Sequence, residues 1–269
     1  MTLLGPYVAL DCPFEVEASP LIAPLLAEAL LDLRSDDTPR RQLRTMQDRA
    51  GMWTVGWDGE EPFIGNDFDH AMYSSLSAIN LLAAREGARD CAVLHGGSVA
   101  VDGRGVVFVG HSGSGKSTLT AAMAMAGHAY IADEVAAITS DSRIRAFHRP
   151  IGLRAGGAAV LGLDLPPGPF EFTYPLRLGH RATLVDGAQL TRIFIVERVP
   201  DANSSGVTGL TRLEPAAALV RLANYSLARG AERATFRRLD AFVRTVPTCV
   251  LRYDTAHHAV RMIEAATRE

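Results

Sequence analysis

The rhythm of apolar and polar positions changes near residue 90. Before it, short apolar runs alternate with polar breaks. Residues 7–10 and 14–17 read as short strands interrupted by Pro13, which has no N–H to give a ladder. Ser19-Pro20 is a helix-start signal, and the apolar period carries that helix to about Leu33. Residues 35–39 form a polar loop. Residues 52–57 and 62–64 predict a hairpin around Asp58-Gly59, with Pro62 weakening its second strand. Asp67 caps a helix over residues 69–85, with Leu76, Ile79, Leu82 and Ala83 on its apolar face and Asn80 as a polar member.

Beyond residue 90 the runs lengthen. Residues 92–101 and 106–109 predict strands, the second followed by a Gly/Ser stretch and a helix over 118–126 that ends at Gly127. A strand over 128–134 closes on Asp133-Glu134, and 135–138 and 143–147 continue as strands. Residues 148–190 are Gly- and Pro-rich and loop-like. Residues 193–197 predict a buried strand and 201–206 a polar loop. Helices follow over 215–228 and 232–245, then a strand over 249–253 and a closing helix over 256–267. This order predicts an α/β core over residues 90–269. A smaller α+β part over 1–89 precedes it and is a candidate substrate-binding region.

Composition narrows the class. With 48% hydrophobic and 21% charged residues the chain has material for a core and is not disordered. A formal net charge of −3 without a basic run points away from nucleic acid. No apolar stretch reads as membrane-spanning and no leader peptide is apparent, so a cytoplasmic protein is expected. Cys12, Cys91 and Cys249 are far apart and odd in number. They read as buried thiols, not as a disulfide framework or a metal cluster.

Among the 27 basic residues there is a single lysine, Lys116. It stands in Gly110-His111-Ser112-Gly113-Ser114-Gly115-Lys116-Ser117-Thr118, a complete G-x-x-x-x-G-K-[ST] phosphate-binding loop between a strand and a helix. The glycines let backbone N–H groups turn toward phosphates, and the helix N-terminus adds partial positive charge. A slim ammonium reaches between β- and γ-phosphates where a guanidinium fork is too wide. Ser117 offers the hydroxyl that ligates Mg²⁺. Phosphoryl transfer also needs a metal carboxylate and a base. Two candidates compete: Asp133-Glu134, at the end of the strand after the loop's helix, and Glu197, which ends an apolar strand in Walker B fashion. The next strand in such a unit can lie beside the first, which favours Asp133-Glu134. His95, beside Gly96-Gly97, is a third candidate, because two glycines allow close backbone approach.

The segments around His95-Gly96-Gly97, the phosphate loop and Asp133-Glu134, in that order, resemble the C-terminal domain of HPr kinase/phosphorylase. The resemblance is stronger still to HPr-kinase-related proteins of bacterial biosynthetic clusters, including those that phosphorylate a serine of lasso-peptide precursors. It is specific over about residues 91–139 and weaker over most of the chain. It implies a fold like the nucleotide-binding part of phosphoenolpyruvate carboxykinase, a mixed sheet with the phosphate loop at its edge. It implies ATP and Mg²⁺ as cofactors. Lys116 would hold the β/γ-phosphates, with Gly110, Ser112, Gly113, Ser114, Gly115 and Thr118 completing the cradle. Ser117 and Glu134 would hold the metal, Asp133 would take the acceptor's proton, and His95 would lie close to the transferred phosphate.

Two departures stand out. The family commonly has two aspartates where this chain has Asp133-Glu134. The second signature of HPr kinases is absent, its nearest counterpart being the unlike residues 148–154, which argues against HPr as the substrate and against a reverse phosphorylase reaction. Arg149 and Arg154 in that region are either phosphate-neutralising or surface residues. The expected activity is ATP- and Mg²⁺-dependent transfer to a hydroxyl, foremost Ser or Thr of a peptide or protein. The alternatives are a small-metabolite kinase and a nucleotide-dependent binding module. No nucleic-acid or membrane partner is expected, and a homo-oligomer is compatible with the sequence. Trp53 and Trp57 are expected to pack in the hairpin, and Arg237-Arg238 to form a solvated helix face.

Overall fold

The computed structural model describes residues 1–165, 177, 182–199, 208–227 and 232–268. It is a mixed α/β protein with two sheets. The first has the order β1-β2-β3-β4-β5: β1 (Thr2–Ala9), β2 (Cys12–Ala18), β3 (Arg41–Gln47), β4 (Trp53–Trp57) and β5 (Phe63–Gly65). Helix α1 (Ala23–Ala29) connects the parallel pair β2 and β3. It starts later than Ser19-Pro20 suggests, because the backbone oxygen of Ser19 accepts from Ile22 and Ala23 in a preceding turn. A short 3₁₀ turn, Leu31–Leu33, follows it. Pro13 does not break a strand but pairs with Val8 inside the β1–β2 ladder. Strand β3 was not expected. Only Leu43 and Thr45 of its seven residues are buried, so its apolar signal is thin. Helix α2 (Phe68–Leu82) lies on this sheet, and Asp67 caps it by accepting from the His70 N–H at 2.6 Å. Trp53 and Trp57 are packed as expected, edge-on to Phe68 and Phe14.

The second sheet carries the phosphate loop. Its main path is β6-β10-β11-β12-β8-β7-β9: β6 (Ala92–Leu94), β7 (Gly96–Val101), β8 (Arg104–Val109), β9 (Ala129–Ala132), β10 (Ala136–Ile138), β11 (Arg143–Arg145) and β12 (Gly187–Arg198). β14 (Thr248–Tyr253) runs parallel to the C-terminal half of β12, and β13 (Gly209–Arg212) pairs with β14. β8 is buried on both faces, which is why it reads as a continuous apolar run. Val107 and Val109 face one cluster with Ile193 and Ile195. Val106 and Phe108 face another with Phe194, Leu119 and Met123 of α3 (Lys116–Met125), and Ile263 of α7 (Ala256–Arg268). Phe108 and Phe194 stack at 6.1 Å. Burial of each such ring contributes roughly 1.5–3 kcal/mol.

Two expectations about this sheet need correction. β9 is not beside β8, because the antiparallel β7 lies between them and pairs with both. The loop leaves the carboxyl-end rim of the sheet from an interior strand, since β8 is bounded by β12 and β7. The predicted strand over 92–101 is split at His95 into β6 and β7, which join different parts of the sheet. Helices α5 (Pro215–Ala223) and α6 (Glu232–Val243) are shorter than expected. Of the arginine pair expected on a solvated face, Arg237 is exposed, while Arg238 is half-buried and donates to the carbonyls of Arg89 and Cys91, tying α6 to the chain entering β6. Within the stretch read as loop-like, α4 (Ala155–Val160) is a short helix. The polar loop expected over 201–206 lies outside the described residues.

Candidate active site

The site is built on the carboxyl ends of the parallel strands β8 and β12, the end of β9 and the start of β7. β8 runs out at Val109 and the chain turns at once. A Cβ on Gly110 would lie 2.6 Å from Ser114 Oγ and 2.8 Å from the Val196 carbonyl, so only glycine lets the loop close against β12. Gly113 and Gly115 sit at φ +80° and +93°, in the left-handed region that glycine enters freely. Gly115 is the N-cap of α3, so the helix's unpaired N–H groups and positive dipole end open at the loop.

Lys116 is 8% exposed. Its Nζ donates to the carbonyls of Gly110 at 2.9 Å and His111 at 3.1 Å. Burial lowers its pKa, with the charges of Glu134 and Asp133 opposing.

The acids enter from the other side of β7. His95, in the break between β6 and β7, pairs through Nε2 with Glu134 Oε2 at 2.8 Å, both side chains about one-third exposed. Glu134 adopts φ +64°, an uncommon conformation for a side-chain-bearing residue, and so departs from the strand direction that leaves Asp133 inside. Asp133 is 1% exposed, and its Oδ2 has no hydrogen-bond partner among the described residues. Facing it on β7 is Gly97, where a Cβ would overlap the Thr120 hydroxyl and stand 3.0 Å from Asp133 Oδ1.

The two neighbouring carboxyls are pushed in opposite directions. Burial first, and then the charge of Glu134, raise Asp133, with Arg149 and Ser117 offsetting part of the rise. For Glu134 burial acts upward too, but the His95 hydrogen bond and the charges of Arg149 and Lys116 outweigh it and hold the group low. One acid is thus poised to exchange a proton while the other is a fixed anion. Arg149 is buried behind them. Tyr130 donates to its carbonyl at 2.8 Å, and its Nε has no partner among the described residues.

These groups surround one cleft of about 660 Å³. His95, Ser112, Lys116, Ser117, Thr118 and Glu134 all line it, with Gly113 and Gly115. Gly110 and Ser114 frame the loop behind them, and Asp133 lies beneath the wall. Glu197 is not part of it. Although β12 does adjoin β8, the Glu197 carboxylate is taken by Arg221 at 2.5 Å and Arg252 at 3.0 Å. Arg154 lines the cleft while Arg149 backs the acids, so the two arginines serve different places.

The residues fit Mg²⁺ accompanied by phosphate. The Ser117 hydroxyl, the unpartnered Asp133 oxygen and the Glu134 carboxylate are hard oxygen donors. Among the described residues no three of His, Cys, Asp and Glu gather into a cage. Mg²⁺ bound with a substrate polyphosphate needs only one or two carboxylates and completes its shell with phosphate and water.

No family model and no curated protein matches the sequence. Among solved structures, the chain is similar to the HPr(Ser) kinase/phosphatase from Coxiella burnetii. The TM-score is 0.34, with 14% identity over 65% of this chain and 93% of that one. No described helix is long and apolar enough to cross a membrane.

Sequence reasoning missed several residues that build the cleft. Tyr253, the last residue of β14, donates its hydroxyl to the Ser114 carbonyl at 2.7 Å. Thr120 donates to the Lys116 carbonyl at 3.0 Å and fills the space that Gly97 leaves. Tyr73 of α2 and Arg198 of β12 line the cleft from distant parts of the chain. For Thr120 a signal existed, since it lies one turn after Lys116 on the loop's helix. For Tyr253, Tyr73 and Arg198 there was none, because only the sheet order and helix packing bring them in.

Proposed function

We propose that this protein transfers the γ-phosphoryl group of a nucleoside triphosphate, ATP by resemblance, to a hydroxyl, with Ser or Thr of a peptide or protein as the foremost acceptor. One observation carries this reading. A phosphate loop with a buried lysine lines one cleft together with Glu134, and the adjacent Asp133 lies buried beneath its wall, the proton affinities of the two acids being driven apart. Lys116 and the open N–H groups of α3 neutralise the phosphates. Ser117 and Glu134 would hold Mg²⁺, which when bound would supply charge screening at the phosphates. Asp133, raised toward the pH of its surroundings, accepts the acceptor's hydroxyl proton as that oxygen bonds to the γ-phosphorus and the bond to the β-phosphate oxygen breaks. His95 holds Glu134 at the cleft wall.

The test is Asp133→Asn, assayed with labelled ATP, Mg²⁺ and a library of Ser- and Thr-containing peptides read by mass spectrometry. Loss of transfer with ATP affinity retained is the expected result. Full transfer by the variant defeats the role of Asp133. A second reading exchanges the two acids, because Glu134 faces the cleft while Asp133 is buried beside Ser117. On that reading it is Asp133→Asn that raises the Mg²⁺ requirement, and Glu134→Gln that abolishes transfer with the Mg²⁺ requirement unchanged.

A further inference from the structure

We infer that Tyr253 is a positioning residue that holds the phosphate loop in its anion-binding form, acting on the triphosphate and not on the nucleoside. The inference rests on the phosphate-binding reading above. Tyr253 ends β14, and β14 is linked to β8 only through β12: Tyr253 pairs with Arg198, and Ile195 of the same strand pairs with Val109. All three strands run parallel, so the end of β14 reaches the same rim of the sheet as the loop. The phenol ring is anchored in the apolar cluster of Phe108, Phe194 and Ile263. Only its hydroxyl emerges, and it donates to the Ser114 carbonyl at 2.7 Å. Burial pushes that phenol up to about 12, so it remains a donor across the working pH range.

The consequence follows from peptide geometry. In a planar trans peptide the C=O and N–H point in opposite directions. Drawing the Ser114 carbonyl toward Tyr253 turns the Gly115 N–H of the same peptide the other way. A Cβ on Gly115 would overlap the Tyr253 oxygen, so the glycine and the tyrosine specify one arrangement together. Gly115 at φ +93° then delivers the chain into α3, whose first N–H groups follow the same orientation. Without the hydroxyl, the Ser114–Gly115 peptide is free to turn over, which would present a carbonyl oxygen to a phosphate. No other residue of β14 donates to the loop among the described hydrogen bonds.

The experiment compares wild type and Tyr253→Phe, which keeps the ring and removes only the hydroxyl. Binding of Mg-ATP and of inorganic tripolyphosphate is measured by calorimetry, steady-state kinetics supply KM and kcat, and amide exchange is followed over residues 111–118. The expected result is about tenfold weaker binding of both ligands, as when the anion-binding form of the loop falls to about a tenth of the population. KM for the nucleotide rises in step, kcat at saturation is nearly unchanged, and exchange within the loop is faster while the ligand-free melting temperature moves little. A general structural defect would instead lower the melting temperature and spread faster exchange beyond the loop, and that outcome overturns the assignment. Equal affinity in the two proteins, with tight wild-type binding, overturns the role of Tyr253 alone. Failure of wild type to bind either ligand overturns the phosphate reading and this role with it.

Discussion

At the scale of single residues, the site is governed by what surrounds Asp133. A carboxyl raised by burial prefers its proton in the folded state, so its charge at neutral pH is a cost to stability. The sign follows directly. Between the ordinary aspartate value of 3.8 and the folded value of about 6, the native state binds more protons than the unfolded one, so this group's contribution falls as pH rises through that window. Asp133→Asn removes the penalty. The inactive variant is expected to melt several degrees higher than wild type at pH 8, a gain of at most about 3 kcal/mol, and the gain should fade as pH falls from about 6 toward 3.8. Thermal melts across that range check it. The same shift sets the activity. A base must be ionised, so kcat/KM for the nucleotide, which reports the free enzyme, should decline as pH falls through about 6, and a kcat/KM profile flat from pH 5 to 8 would contradict the assignment.

At the scale of elements, the close approach of three of them decides whether the acid is in place. β7, α3 and the end of β9 meet at Gly97, Thr120 and Asp133, with no room for one further methyl group. Gly97→Ala is therefore expected to destabilise the protein by about 1–3 kcal/mol through overpacking. It should also reduce transfer at least tenfold by displacing Asp133, which denaturant titration and turnover measurements test together. This scale also shows what a sequence makes legible. The loop was readable because its chemistry is contiguous: strand, glycines, lysine and helix occupy one short run. Asp133-Glu134 was readable as a neighbouring pair at a strand end. Strand β3 was not, because a strand with polar residues at most positions carries little period-two signal. The insertion of β7 between β8 and β9 was not readable either, since strand adjacency is a long-range property that no local pattern encodes. The link from Tyr253 to the loop depends on that adjacency twice over and was invisible for the same reason.

At the scale of the whole molecule, the sheets divide near residue 90 but the apolar core does not. One continuous cluster takes in Tyr7, Phe14 and Trp57 from the first sheet and Val107, Ile193 and Phe147 from the second sheet's side. Asp11 and Arg145 form a two-pronged ion pair across the divide, and the Asp11 N–H donates to the Gly87 carbonyl at 3.2 Å. The full chain is expected to unfold in a single calorimetric transition, and residues 90–269 expressed alone to be insoluble or molten, since their half of this cluster would face water. Two resolved transitions would refute the shared core. The solitary lysine has a consequence at this scale as well. An endoprotease that cuts only after lysine finds one target in all 269 residues, the Lys116–Ser117 bond at the mouth of the cleft. Because Lys116 is buried and already held by two loop carbonyls, that bond yields only when the loop opens. The rate of a single clean scission therefore serves as a clock for loop opening, and bound triphosphate should slow it.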